Sequence, residues 1–78
     1  MKKDTKLYKI LKLLYLNKDK KFTAREISDA LKIEYSGIHS KCFRLLNHVN
    51  KEKIDGKVKY WIKPYEVEYI KKVLKRAT

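Results

Sequence analysis

The sequence is poor in the residues that staple, break or loosen a chain. Its 78 residues include one cysteine, one proline, two glycines and no glutamine. A single cysteine excludes an intrachain disulfide and fits a reducing, cytoplasmic setting. With so little proline and glycine there is no linker, and no internal repeat, so one domain over residues 1–78 is expected. No run of about 18 apolar residues occurs, so no segment is expected to span a membrane. Near the N-terminus Lys6, Lys9 and Lys12 interrupt the apolar residues, which argues against a secretory signal. Acidic residues are also scarce: 9 Asp+Glu stand against 21 Lys+Arg, a formal net charge of +12. An excess that large on so short a chain implies a polyanionic partner, nucleic acid before an anionic membrane.

Motifs for catalysis are missing as well. There is no glycine-rich phosphate loop and no G-x-S-x-G, and the carboxylates fall on helix starts and turns, where capping and solubility explain them. No enzyme and no cofactor are expected. His39, Cys42 and His48 are the residue types that bind metals, and His39 and Cys42 are three apart. Cys42 falls on an apolar stripe, however, and no fourth ligand lies near in sequence, so a core role for Cys42 and no metal site are expected.

What the chain does have is periodic. Its hydrophobic content, 44%, suits a globular fold. Leu7, Ile10, Leu11 and Leu14 recur at helical spacing, with Asp4 or Thr5 as cap, and predict a first helix to about residue 16. Tyr8 and Tyr15 widen its apolar face, while Leu13 and Leu16 fall elsewhere on its circumference. Residues 21–22 suit a brief strand. Thr23 and Glu26 then have the spacing of a capping box, and Phe22 and Ile27 that of a hydrophobic staple. Ile27, Ala30 and Leu31 make the apolar stripe of a second helix. A third is expected over about residues 35–47, with Ile38, Cys42, Leu45 and Val49 along one face. Opposite lie Ser36, Ser40 and Asn47, flanked by Gly37, His39, Lys41, Phe43 and Arg44.

After residue 49 the period changes from helical to two. Asp55-Gly56 is a strong signal for a two-residue hairpin turn, because both central positions need positive φ. That turn pairs Ile54 with Lys57, Lys53 with Val58, and Glu52 with Lys59, the last a favourable cross-strand pair. Val49, Val58, Tyr60 and Ile62 share the inward face, with Lys51 and Lys53 at its outer end; Lys57 and Lys59 point the other way, near Trp61. Pro64 opens a last helix over about residues 64–76, with Glu66 and Glu68 early and Lys71, Lys72, Lys75 and Arg76 late, a polarity that complements the helix dipole. It carries two apolar stripes, Val67–Ile70–Leu74 and Tyr65–Tyr69–Val73. One packs on the first helix. The other, with the surplus apolar surface of the first helix, is the expected homodimer interface.

The run E-I-S-D-A-L-K-I-E-Y-S-G-I-H-S-K-C-F-R-L-L resembles the helix-turn-helix of winged-helix DNA-binding proteins. In that resemblance Glu26 and Ile27 open the second helix, Ala30 and Leu31 close it, Ile33 sits in the turn and Ile38 anchors the recognition helix. Two residues depart from the pattern: Lys32 stands where the turn usually has glycine, and Glu34 where the recognition helix usually has a Ser or Thr cap. The resemblance implies a mainly α fold with a small β-hairpin, a winged helix-turn-helix ordered helix, strand, helix, helix, strand, strand, helix. The helix-turn-helix would occupy about residues 23–47 and the wing about residues 49–62. It implies binding of double-stranded DNA by Ser36, Gly37, His39, Ser40, Lys41 and Arg44 in the major groove, with Lys53, Lys57 and Lys59 of the wing on the backbone. The expected role is a nucleoid-associated, sequence-specific transcription regulator, most similar to the compact lysine-rich members of archaea, their viruses and plasmids. A sequence-indifferent nucleoid protein, a winged-helix protein-interaction module and an RNA-binding module remain open alternatives.

Overall fold

Helix α1, Lys6–Leu16, starts at Thr5, whose side chain accepts from the Tyr8 N–H. It is central to the domain: Ile10, Leu11 and Leu14 are fully buried and Tyr8 nearly so. The computed structural model describes residues 2–77. Strand β1, Phe22–Thr23, runs straight into helix α2, Ala24–Leu31. The capping box at that junction is complete: Glu26 N–H donates to the Thr23 hydroxyl, and Thr23 N–H donates to Glu26 Oε1 at 2.8 Å. That second bond does most to lower the Glu26 carboxyl pKa, helped by the nearby charges of Lys20 and Lys59.

The buried face of α2 keeps Ile27 and Leu31 of the expected stripe but takes Ser28 in place of Ala30. Ala30 is exposed, while Ala24, Ile27 and Ser28 are buried. A serine tolerates that position because its hydroxyl donates to the Ile33 carbonyl. The Ser28 carbonyl meanwhile accepts the N–H groups of Lys32 and Ile33, which closes the helix end. Lys32 takes the left-handed conformation, φ 56° and ψ 45°, in the place usually given to glycine. Lys32→Gly is therefore expected to stabilise the domain by about 0.5 kcal/mol, after the added freedom of the unfolded chain is subtracted. A thermal melt would show this as a rise of about 2–4 °C.

A 3₁₀ turn, Tyr35–Gly37, leads into helix α3, Ile38–Arg44. Glu34 precedes the turn with no capping hydrogen bond from its side chain. The helix is shorter than its periodicity predicts: Leu45, Leu46 and His48 N–H groups donate three residues back, to Cys42, Phe43 and Leu45. That tightening ends α3 at Arg44 and returns the chain to the sheet, still with Leu45 and Val49 buried.

Strands β2, Val49–Ile54, and β3, Lys57–Ile62, form the hairpin in the expected register, and β1 adds to the far edge of β3 in the order β1-β3-β2. Asp55 and Gly56 have φ of 51° and 80°, as the two-residue turn demands. Glu52 and Lys59 stand opposite each other. They form no ion pair, however; among the described residues the one carboxylate within reach of a basic side chain's nitrogen is Glu66, beside His48. Phe22, Val49, Tyr60 and Ile62 fill the inner sheet face.

A second 3₁₀ turn, Pro64–Glu66, precedes helix α4, Val67–Arg76, which packs against α1. The second stripe of α4 is only partly spare. Val73 packs on the core, as do Leu13 and Tyr15 of α1, whereas Tyr65 and Tyr69 stay 78% and 50% exposed. Leu16 is exposed as well. The apolar surplus is thus smaller than the sequence implies, because Tyr8 and Val73 are absorbed into one core. No helix among the described residues is long and apolar enough to cross a membrane.

Burial of Cys42 and Tyr60 sets an alkaline limit. Burial pushes the Cys42 thiol from 9.0 to about 12, against a small opposing effect of Lys51, and pushes the Tyr60 phenol from 10.0 to about 12, with Cys42 and Tyr35 adding to it. Between the ordinary values and about 12 the native state holds protons that the unfolded chain has released. Stability is therefore expected to be unaffected by these groups below about pH 9 and to fall as pH rises toward 12. Denaturant midpoints taken from pH 8 to pH 11 would check this. Cys42→Ala should remove the early part of the decline.

Candidate nucleic-acid interface

The outward face of α3 and its leading turn is small and polar at its start. Ser36, Ser40 and Arg44 are exposed, as is Asn47 just beyond the helix. They stand opposite the buried file of Ile38, Cys42 and Leu45, so core packing fixes which way they face. Gly37 and Lys41 are half-buried and turn toward α1. With Lys6, Ile33, Glu34, Ser36 and Ile38 they line a recess of about 100 Å³.

His39 turns the other way, toward the sheet. Its Nδ1 lies 2.7 Å from the hydroxyl of Tyr60, and its Nε2 lies 3.4 Å from that of Tyr35. Either neutral tautomer satisfies both contacts, because each tyrosine hydroxyl can donate to the bare ring nitrogen or accept from the protonated one. The buried Tyr60 hydroxyl thereby finds its partner, and α3 is tied to β3. Of the expected DNA-facing set, His39 is exposed but has both ring nitrogens within reach of tyrosine hydroxyls of the protein. Gly37 has no side chain to offer, and an added Cβ there would meet open space.

An open groove of about 560 Å³ runs between the start of α2, the turn before α3 and the hairpin tip. Arg25, Glu26, Tyr35, His39, Lys57 and Lys59 line it, among others. Lys57 is exposed and Lys59 half-buried beside Glu26. Lys53 is exposed on the opposite sheet face, the one that carries Val58 and Tyr60 and continues toward α3. The hairpin cations therefore split between its two faces.

Two cations escaped the sequence reading as contributors to this side. Arg25 lies with its guanidinium 4.8 Å from the Tyr35 ring centroid, at the mouth of the groove. Lys51, expected with Lys53 at the outer end of the inward hairpin face, is exposed and near enough to Cys42 to influence its thiol. Arg25 was detectable only as an exposed position inside the capping box; Lys51 could be placed from the register, since it pairs with Tyr60. Trp61 is half-buried, with the Lys21 ammonium 4.3 Å from its centroid, so it packs at the base of the hairpin. His48 Nδ1 lies 3.1 Å from Glu66 Oε1, and Cys42 is in the core. Among the described residues no three His, Cys, Asp or Glu side chains gather where they could hold a metal ion.

No family model matches the sequence, and no curated protein matches it. Solved structures do resemble it. A variant of Lactococcus lactis ZitR superposes with a TM-score of 0.66 at 15% identity, covering 86% of this chain and 49% of that one. MepR, described as a transcription regulator of the Staphylococcus aureus multidrug efflux pump MepA, superposes with a TM-score of 0.69 at 14% identity, covering 91% of this chain and 58% of MepR. The chain thus spans about half the length of one and under two thirds of the other. At such identities the likeness speaks for the fold: four helices and a three-stranded antiparallel sheet with a projecting hairpin, the winged helix-turn-helix.

Proposed function

We propose that the protein binds double-stranded DNA in a sequence-specific way and regulates transcription. The observation that carries this reading is the exposed file of Ser36, Ser40 and Arg44 along α3 and the turn that leads into it, held outward by a buried file behind it, beside a hairpin bearing Lys51, Lys53, Lys57 and Lys59. Small polar residues suit contact with base edges, and flanking cations suit phosphates. The net charge of +12 supplies long-range attraction to a polyanion. MepR, which shares the fold, is a transcription regulator by its own description.

In this reading Ser36, Ser40 and Arg44 enter the major groove, with Gly37 allowing close approach and Lys41 at the flank. His39 orients α3 through Tyr60. Lys57 and Lys59 hold backbone on one side of the hairpin and Lys53 on the other. The active form is a homodimer through the terminal helices, covering Leu16, Tyr65 and Tyr69, which are otherwise left in water. The cytoplasm, on the nucleoid, is the corresponding location.

The test compares two variants on a selected duplex and on random DNA. Arg44→Ala should cost about tenfold on the selected duplex and less on random DNA, a loss of site choice. Lys57→Ala combined with Lys59→Ala should weaken both alike. Equal losses for both variants on both duplexes would point instead to a sequence-indifferent nucleoid protein. Unchanged activity after the lysines are neutralised would point to a protein-interaction module, and preference for RNA competitor to an RNA-binding one.

A further inference from the structure

Two files of residues run along the recognition unit at the same spacing. The buried one is Ile38, Cys42 and Leu45; the outward one is Ser36, Ser40 and Phe43. Phe43 thus occupies on the solvent side the place that Leu45 fills in the core. It is 67% exposed. Of the four exposed tyrosine and phenylalanine rings, Tyr35 has the Arg25 guanidinium over it and Tyr69 packs against the His48 ring, while Phe43, like Tyr65 on the far terminal segment, has neither. Among the described residues no cation and no ring covers Phe43 in this way.

The neighbours of Phe43 limit what covers it. Ser40 and Arg44 flank it on a chain of net charge +12. A second copy of this chain would bring like charge against that face, whereas a polyanion complements it. The floor of a duplex major groove offers one apolar feature to a side chain, the methyl group on C5 of a pyrimidine. We infer that Phe43 reads a pyrimidine C5-methyl group in the major groove, in thymine or in 5-methylcytosine, beside the polar contacts of Ser40 and Arg44. This rests on the DNA-binding reading above and deepens it. Phe43 becomes a specificity residue, and the preferred site carries a methylated pyrimidine at a fixed position in each half-site.

The experiment starts from a duplex that the protein enriches from a random library. Each thymine is replaced in turn by uracil, which removes the methyl and leaves every hydrogen-bonding group in place. At the critical position the wild-type protein should lose about three- to fivefold in affinity, the size expected for one buried methyl. Phe43→Ala should bind the thymine and uracil duplexes within about 1.5-fold of each other. Phe43→Leu, which keeps an apolar surface, should retain part of the discrimination. A parallel pair with cytosine or 5-methylcytosine at that position identifies the source of the methyl: tightest binding to the thymine duplex assigns thymine, tightest binding to the 5-methylcytosine duplex assigns the modified base. Wild-type indifference to uracil at every position, or discrimination that survives in Phe43→Ala, overturns the inference and leaves DNA binding intact. A change of mass in sedimentation equilibrium for Phe43→Ala also overturns it, by placing the ring in a protein contact. Failure to enrich any duplex sinks the DNA-binding reading itself.

Discussion

Raising the salt concentration from about 50 to about 200 mM is expected to weaken duplex binding roughly 10³- to 10⁵-fold. The size of the effect follows from where the charge sits. Arg25, Arg44, Lys51, Lys53 and Lys57 are all exposed on or beside α3 and the hairpin, with Lys41 and Lys59 half-buried at the margins. If a homodimer neutralises about six to ten phosphates with these, each contact releases a condensed counterion, and the affinity scales with salt at a log–log slope of about −5 to −9. Lys12, Lys18, Lys20 and Lys21 lie over aromatic rings and Lys71, Lys72 and Lys75 along α4, and these are expected to add to the general field without contributing to the slope. Fluorescence anisotropy with a labelled duplex, titrated at several potassium chloride concentrations, gives the slope directly. Neutralising one true phosphate contact lowers it by about one, so Lys57→Ala and Lys53→Ala can be ranked separately. A slope shallower than about −3 would mean that this cationic side does not lie against a duplex. Ser36→Ala should leave the slope unaltered, because a serine contributes no counterion release.

The features legible in the sequence were those set by neighbours in the chain. The capping box at Thr23 and Glu26 closes over three residues, and the hairpin register follows from two residues, Asp55 and Gly56, whose positive φ is a local requirement. The left-handed strain at Lys32 is local in the same sense. What the sequence hid depends on distant partners. Ser28 is buried and Ala30 exposed, the reverse of what polarity suggests, because the Ser28 hydroxyl has the Ile33 carbonyl to bond. His39 reads as a free flank of the polar face until β3 brings Tyr60 to its ring from 21 residues away. The Glu52–Lys59 register was readable, but the behaviour of Lys59 depends also on Glu26, which only β1 pairing brings near. The hairpin cations likewise could be assigned to faces from the period of two. Which face lies nearer α3 needed the fold.

The largest loss of stability is expected from Ile27→Ala. Ile27 is fully buried on α2, which packs between β1, α1 and α3, so its side chain helps fix the angle at which α3 is held. Truncation removes three carbon atoms from a site with few ways to collapse, and such changes cost about 2–5 kcal/mol. A domain of this size has about 4–12 kcal/mol in total. The midpoint of thermal unfolding should fall by about 10–25 °C, and a protein near the lower bound would be largely unfolded at 37 °C. Ala30→Glu is the control. An α2 oriented with Ala30 inward would suffer as much from a buried carboxylate, whereas exposure of Ala30 predicts a change within about 0.5 kcal/mol. Ser28→Ala separates a further possibility: it adds no atoms but leaves the Ile33 carbonyl without its hydroxyl partner, and should cost about 1–2 kcal/mol. The order Ile27→Ala, then Ser28→Ala, then Ala30→Glu is what the observed face of α2 demands. The reverse order would mean that the helix is rolled by one residue, and that the polar file of α3 is held at a different angle from the hairpin.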